Sequence, residues 1–393
     1  MRTVAAIAAS VWGIASPALG QLPDLPTLGS RWTEVQYPKL YYTIRDGFTF
    51  GMYYAQQRPM GFEDYWDPEP YHGAITVDGR LSTSGRRELM LEARLPKLVP
   101  GWRAVLTFEA SRRPRDYYFG MGNSTSPSRD SLATNPRFYD SDNTRIFLRG
   151  ELQRRIIGGL RVLGGFHAER WRLNTPEGPS RLVNDQTAGL DPTIGRNVSD
   201  ITLRVGVVFD VRDDEVAPRR GVLLQAIHNR ADSSLAGQLS YTRTTFSGAA
   251  YASPHQKVVL AARVLGQTMG GMPRVGSYAL IESSDRPFVG IGGEGSHRAL
   301  TDQRFLGPDK LLLNADARYD LMSEETLYAL TAVAFLDAGR VFDLGGLEFT
   351  TRDLHVGGGA GIFVRWRRVA VLGSTVGVGP DGIVFHVHSR WAY

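Results

Sequence analysis

The chain has 393 residues and no cysteine, so structural disulfides and cysteine-ligated metal sites are excluded. Its 45 Lys and Arg residues exceed its 40 Asp and Glu residues, a positive balance compatible with a nucleic-acid partner. The arginines are instead distributed singly over alternating segments, at positions such as Arg145, Arg161, Arg204 and Arg263. This pattern is typical of the polar lining of a barrel, and we expect no nucleic-acid partner.

Residues 1–20 have the pattern of a secretory signal peptide. Arg2 gives a short basic start, Val4–Ala15 is apolar and rich in small residues, and Ala18–Gly20 supplies a cleavage site. The apolar run is shorter than the ~20 residues of a membrane-spanning helix, so it predicts export and not a helical anchor. Residues 21–36 are predicted to be a short periplasmic extension.

Alternation of polar and apolar residues predicts that residues 37–393 are all-β. Lys310–Asp320 places polar residues at its even positions and apolar residues at its odd positions, and Trp102–Arg112 and Asp200–Asp210 repeat this pattern. A period of two indicates a strand with one polar and one apolar face. Both a soluble sandwich and an outer-membrane barrel have such strands. The sixteen predicted strands are 37–45, 47–57, 72–82, 86–95, 102–112, 143–153, 159–171, 200–210, 221–231, 237–250, 257–269, 310–320, 326–338, 355–366, 369–378 and 383–393.

The lengths of the connections favour the barrel. Long connections are predicted only after odd-numbered strands, at 113–142, 172–199, 270–309 and 339–354. Bacterial outer-membrane barrels have long loops at one end and short turns at the other, whereas a sandwich has no reason to sort its loops in this way. We therefore predict a sixteen-stranded antiparallel transmembrane β-barrel in the bacterial outer membrane, surrounded by outer-membrane lipid.

The last predicted strand has an aromatic face typical of the end of a barrel. Phe385, Trp391 and Tyr393 share this face, and we expect Trp391 and Tyr393 to lie at the membrane interface. His386 and His388 share the opposite face, but they lack a clear third ligand for a metal ion. No metal and no cofactor are expected.

Four stretches resemble motifs of one family of barrels, the bacterial surface antigen superfamily of BamA and TamA type. The stretches are Tyr118-Phe119-Gly120-Met121-Gly122-Asn123, the turn Asp210-x-Arg212-Asp213-x4-Pro218-x-Arg220-Gly221, the loop Gly292-Gly293…Ser296-x-Arg298, and Phe335-Leu336-Asp337-Ala338-Gly339. The resemblance implies a barrel that assists insertion or passage of polypeptide, or of lipid, at the outer membrane. A passive pore or a structural surface barrel without assembly activity is the alternative.

The chain departs from this family at two places. Ala299-Leu300 stands where the loop motif has a glycine and an aromatic residue. Members usually carry polypeptide-transport-associated domains before the barrel, and residues 21–36 are too short to hold one. The resemblance therefore implies a form without these domains, with a periplasmic or membrane protein partner in their place.

Arg298 is the candidate site residue, together with Asp316 and Asp337. Alternation directs both carboxylates into the lumen from adjacent strands. A planar guanidinium group can donate hydrogen bonds to two carboxylates at once. A solvated arginine in an exposed loop is the competing interpretation. The family resemblance favours a tether that holds the loop 270–309 inside the barrel.

No enzymatic activity is expected. Gly290-x-Gly292-x-x-Gly295 fits a dinucleotide-binding fingerprint, but no strand–helix unit surrounds it. The sequence lacks the HExxH, P-loop and GxSxG motifs.

Overall fold

A computed structural model describes residues 32–393, with the exception of 44, 62, 65, 236, 285 and 325–326. The predicted signal peptide and most of the predicted extension 21–36 lie outside these residues. None of the helices in the described part of the chain combines the length and the apolar character needed to cross a membrane.

Sixteen strands form a single antiparallel sheet in chain order, and two short strands form a separate hairpin. The elements in the first half are β1 (Thr33–Thr43), β2 (Gly47–Pro59), β3 (Tyr71–Ser82), β4 (Arg87–Val99), β5 (Trp102–Tyr117), α1 (Arg129–Thr134), β6 (Asp140–Ile157), β7 (Leu160–Asn174), α2 (Arg181–Thr187), β8 (Asn197–Asp210) and β9 (Gly221–Ala231). The remaining elements are β10 (Tyr241–His255), β11 (Val258–Gly271), α3 (Val275–Tyr278), the hairpin β12 (Leu280–Ile281) and β13 (Phe288–Val289), β14 (Asp309–Glu324), β15 (Tyr328–Phe342), β16 (His355–Trp366), β17 (Ala370–Gly379) and β18 (Gly382–His388).

All sixteen predicted wall strands are confirmed. The bounds of β9 and β16 agree with the prediction, whereas β1 begins at Thr33 and so includes the end of the predicted extension. The prediction for the last strand was wrong at its end, because β18 stops at His388 and residues 389–393 leave the sheet.

The sheet curls into a barrel, and at each end of it segments that adjoin distant strands are in contact. At one end, Arg368 in the turn before β17 donates to the backbone oxygen of Asp67, which precedes β3. At the other end, the side chains of Arg45 and Asp140 join the turn after β1 to the start of β6. Such contacts between strands distant in the sheet require strong curvature.

The two faces of the wall are the reverse of those in a soluble domain. Leu203, Val205 and Val207 on the outward face of β8 are exposed, whereas Thr202 and Arg204 on the inward face are buried. An apolar outer surface around a polar interior matches a barrel surrounded by lipid.

The long connections lie at one end of the barrel, as predicted from their order. Consecutive strands are antiparallel, so connections that follow strands of the same direction emerge at the same end. The long connections are residues 118–139, 175–196, 272–308 and 343–354.

Candidate functional site

The segment between β11 and β14, residues 272–308, folds back into the barrel, and we call it the lumen loop. It contains α3 and the β12–β13 hairpin. Ile281, Ile291 and Leu300 of the loop pack against Leu265 and Leu312 of the wall in one buried apolar cluster. Full burial of each such side chain contributes about 1.5–3 kcal/mol. The prediction that this loop lies in the lumen is confirmed.

Two glycines give the lumen loop its tight turn. Gly292 and Gly293 have φ angles of 119° and 107°, a region that side-chain-bearing residues rarely adopt. A Cβ atom at Gly292 would lie 2.1 Å from the backbone oxygen of Thr301. The glycine spacing therefore serves a close backbone approach, and no strand–helix unit for a dinucleotide is formed around it.

The turn presents Arg298 to both predicted aspartates. Its Nη2 atom donates to Asp337 Oδ1 at 2.8 Å and to Asp316 Oδ1 at 2.6 Å, and its Nε atom donates to Asp337 Oδ2 at 3.0 Å. The Arg298 backbone N–H also donates to Asp337 Oδ2, at 2.7 Å. The guanidinium lies 4.2 Å from the ring centroid of Phe335. The structure thus brings the three residues together in one forked arrangement.

These three charges are removed from water. The side chain of Arg298 is 1% exposed, and those of Asp316 and Asp337 are 0% exposed. Burial alone would lower the pKa of Arg298, but its bonds to Asp337 and Asp316 outweigh burial and raise it above the usual value. The guanidinium is therefore always charged, and removing one partner would leave a buried charge uncompensated.

Neighbouring wall residues orient the two carboxylates. Asn314 donates to Asp337 Oδ1 at 2.7 Å and Arg318 donates to Asp316 Oδ2 at 2.9 Å. Asp316 therefore has a second cationic partner, whereas Arg298 is the cation bonded to Asp337 among the described residues. The two aspartates should respond differently when Arg298 is removed.

The aromatic residues of the last segment do not lie at the membrane interface, so that prediction was wrong for Trp391 and Tyr393. Trp391 is buried and stacks on Phe363 at 4.1 Å between ring centroids, and Tyr393 donates from its hydroxyl to the backbone oxygen of Ala261. Of the three aromatic residues predicted to share this face, Phe385 alone faces outward. Residues 389–393 turn inward because the lumen offers guanidinium groups to aromatic rings, with Arg318 4.0 Å from the Trp391 centroid.

Ala299 and Leu300, where the chain departs from the family motif, both fit the lumen closely. Ala299 packs on a strip of wall glycines, where a Cβ atom at Gly357 would lie 2.4 Å from the Ala299 Cβ. At Gly377, an added Cβ would lie 2.7 Å from the Ala299 Cα. The wall glycines thus accommodate the extra methyl group, and Leu300 occupies the apolar cluster.

A second anchor of the lumen loop escaped the sequence analysis. The buried carboxylate of Glu282 accepts hydrogen bonds from Arg149, Arg204 and Asn229 on β6, β8 and β9, at 2.9 Å in the case of Arg204. Burial would raise the pKa of Glu282, but Arg149 and Arg204 hold it well below its usual range. The signal available in the sequence was the inward position of Arg149 and Arg204. It indicates that carboxylates must lie nearby in the lumen, but it does not identify Glu282 as one of them.

The turn that resembles the family motif, residues 211–220, crosses the short-turn end of the barrel. Asp210 accepts a fork from Arg212 at 2.9 Å to each oxygen, and Asp213 Oδ1 accepts from the backbone N–H groups of Arg219 and Arg220. Gly221 closes the turn at a φ angle of 103°.

Contacts of this turn reach several distant parts of the wall. Glu215 pairs with Arg103 on β5, and Asp214 accepts from Arg368 at 3.0 Å. The side chain of Arg219 pairs with Asp320 on β14. Because β5 and β14 lie far apart in the sheet, the turn spans the opening at this end.

A cavity of about 230 Å³ lies between this turn and the lumen loop. The turn contributes Arg212, Glu215 and Pro218, the lumen loop contributes Glu282, and the inward segment contributes Trp391. Two separate layers, the turn and the lumen loop, therefore lie across the interior with this cavity between them.

The remaining predicted residues have structural partners. His386 is 3.0 Å from the backbone oxygen of Leu300, and His388 is 2.8 Å from the Thr375 hydroxyl. Within the described residues, no group of three or more His, Asp or Glu is placed to hold a metal ion. Asn123, the last residue of the first motif, accepts from the backbone N–H of Val341 and so joins the loop after β5 to β15.

Comparison with known proteins supports the architecture. The Omp85 superfamily domain matches residues 193–369, and no curated protein matches the sequence. BamA from Haemophilus ducreyi lacking POTRA domains 1–3 is similar at 12% identity and a TM-score of 0.54, covering 92% of this chain and 69% of that chain. CdiB from Escherichia coli is similar at 13% identity and a TM-score of 0.57, covering 93% of this chain.

The chain spans 63% of that CdiB chain and 58% of CdiB from Acinetobacter baumannii, which is 12% identical at a TM-score of 0.50. Similarity at such low identity concerns the fold alone. The predicted resemblance to BamA-type barrels is confirmed by the domain match and by the shared barrel. Residues 193–369 therefore carry the match to the Omp85 superfamily domain, and the chain resembles the BamA and CdiB barrels in fold.

Proposed function

We propose that the protein resides in the bacterial outer membrane and assists the insertion or passage of polypeptide there, as a barrel that is closed at rest and opens in use. The observation that carries this proposal is the lumen loop, which occupies the interior and is held by buried ion pairs at Arg298 and Glu282. A loop packed and paired inside the lumen narrows the path that a permanent pore would need to keep open.

The two anchors bind separate groups of wall strands. Arg298 binds β14 and β15, whereas Glu282 binds β6, β8 and β9. Separating either anchor from its partners is unfavourable in free energy, because it leaves desolvated charges without a partner. The proposed opening therefore requires a second state in which both anchors are released, and a client or partner that favours this state would act as the switch.

The passive pore remains the competing function, and one experiment separates the two. Vesicles are prepared with and without the protein and loaded with a small fluorescent dye. An unfolded outer-membrane barrel polypeptide is then added, and its folding rate and the release of dye are followed together.

The proposal expects faster folding of the added polypeptide in vesicles that carry the protein, with little dye release before addition. Rapid dye release without any change in folding rate would instead establish a pore. A periplasmic or membrane partner stays a prediction, as does the absence of enzymatic activity.

A further inference from the structure

Arginines form a row on the outer surface of the barrel at its long-loop end. Arg87 on β4 lies directly across from Arg112 on β5 in the sheet. Thr144 on β6 is the next cross-strand neighbour of Arg112, and Arg172 on β7 is the next neighbour of Thr144. Arg170 lies one outward position below Arg172. The row therefore runs laterally over four adjacent strands.

These side chains point away from the lumen. Arg87 alternates in phase with the exposed Leu89 and Leu91, and Arg170 and Arg172 alternate in phase with the exposed Val162. The arginines that line the lumen occupy the opposite phase. The row consequently belongs to the surface that faces the bilayer.

The row lies at the edge of the apolar band. On β5, the outward positions between Trp102 and Arg112 are Ala104, Leu106, Phe108 and Ala110. At ~3.4 Å per residue and a tilt of about 40°, the path from Trp102 to Arg112 rises about 26 Å. This distance matches the apolar band of roughly 25 Å in outer-membrane barrels. Trp102 and Arg112 thus mark its two boundaries.

Most of the positive charge in the row is not neutralised by the protein. Arg112 forms a fork with Asp142 at 2.8–3.2 Å. Within the described part of the chain, Arg87, Arg170 and Arg172 form no ion pair. Guanidinium groups at the edge of an apolar layer are stabilised by anions from outside, and their planar fork matches phosphate.

Among the described strands, the outward arginines without a carboxylate partner at this end lie on one side of the barrel. On the opposite side, the outward positions at the same end of β11 and β14 are Thr268, Gly270 and Leu311. Arg230 on β9 and Arg340 on β15 are also outward at this end, but each has a carboxylate of its own, Asp232 at 3.1 Å and Asp353 at 3.7 Å. A general attraction to an anionic membrane surface would not need such a one-sided row.

We propose that this row, Arg87, Arg112, Arg170 and Arg172, is a binding site for a lipid headgroup that carries phosphate, in the leaflet at the long-loop end. The headgroup phosphates lie against the guanidinium groups, and the acyl chains lie on the apolar strip formed by Leu89, Leu91 and their neighbours. The site is distinct from the lumen; it rests on the proposed residence in the outer membrane and does not depend on the proposed assistance to polypeptides.

Native mass spectrometry of the detergent-solubilised protein tests this site. The probes are a bisphosphorylated diglucosamine lipid (lipid A) and the same lipid without its phosphates. The variant is Arg87→Gln/Arg172→Gln, and the matched control is Arg58→Gln/Arg154→Gln, which removes two outward arginines from the other end of β2 and β6.

The wild type and the control are expected to retain the phosphorylated lipid equally, and the variant to retain it about thirtyfold less tightly, from the loss of two headgroup contacts. The dephosphorylated lipid should bind weakly to all three proteins. Equal retention by the variant, or equal binding of both lipids, would overturn the proposal. Displacement of the lipid by excess inorganic phosphate would show a simple anion site and would also overturn it.

Discussion

Removal of Arg298 should destabilise the barrel mainly through Asp337. In Arg298→Ala, Asp316 keeps its bond to Arg318, whereas Asp337 keeps, among the described residues, Asn314 and the backbone N–H of residue 298. Because all three side chains are at most 1% exposed, the loss of one partner from this buried set should cost about 3–5 kcal/mol.

A double-mutant cycle separates the two aspartates. The single variants Arg298→Ala, Asp337→Asn and Asp316→Asn are combined pairwise, and the free energy of unfolding is measured by urea titration of the protein folded into lipid vesicles. We expect a coupling energy of at least ~2 kcal/mol between Arg298 and Asp337, and a smaller one between Arg298 and Asp316.

Arg286 provides the matched control, because it is also an arginine of the lumen loop and pairs with Glu92, but its side chain is 39% exposed. Arg286→Ala should cost about 1 kcal/mol or less. If Arg298→Ala were equally mild and its effect added simply to that of Asp337→Asn, Arg298 would be a solvated loop residue and the tether would be refuted.

Three further predictions concern the second anchor, the inward segment and the topology. Glu282→Gln should lower the free energy of unfolding at neutral pH. Because folding lowers the pKa of Glu282, its stabilising effect is present above the ordinary pKa of 4.5 and should fade as the pH drops below that value. The urea midpoints of the wild type and the variant should therefore converge in acid. Trp391→Ala should cost about 3–5 kcal/mol in the same titration, because a buried ring is lost, whereas a residue at the membrane interface would give a much smaller effect. Single cysteines at Leu190 and Phe349 should be labelled by an impermeant reagent on intact cells and one at Gly158 should not, since the first two lie in long loops; labelling at Gly158 would reverse the topology.

The wall of the barrel was predictable because its signal is local. Alternation in segments such as Lys310–Asp320 fixes both the strand and the face of each residue, so the inward positions of Asp316 and Asp337 followed directly. The prediction that Arg298 is buried and paired with these aspartates also required the family resemblance. An arginine in a glycine-rich loop can by itself be exposed to water as readily as it can be paired with a carboxylate.

Contacts between distant segments were not predictable in this way. Glu282 has no local pattern that distinguishes it from an exposed loop glutamate, and its partners Arg149 and Arg204 lie far away in the sequence. Trp391 was placed at the membrane interface because its alternation continues that of β18. The inward turn after His388 depends on Phe363 and Arg318 in the lumen, which no local pattern shows.

Single-channel conductance in a planar bilayer tests most directly the claim that the barrel is closed at rest. The intact protein should conduct little, because the lumen loop and the turn 211–220 both obstruct the path. Deletion of residues 272–306 should raise the conductance, and the joint variant Asp214→Asn/Arg219→Gln, which loosens the turn in that background, should raise it further. A large and steady conductance of the intact protein would contradict the account.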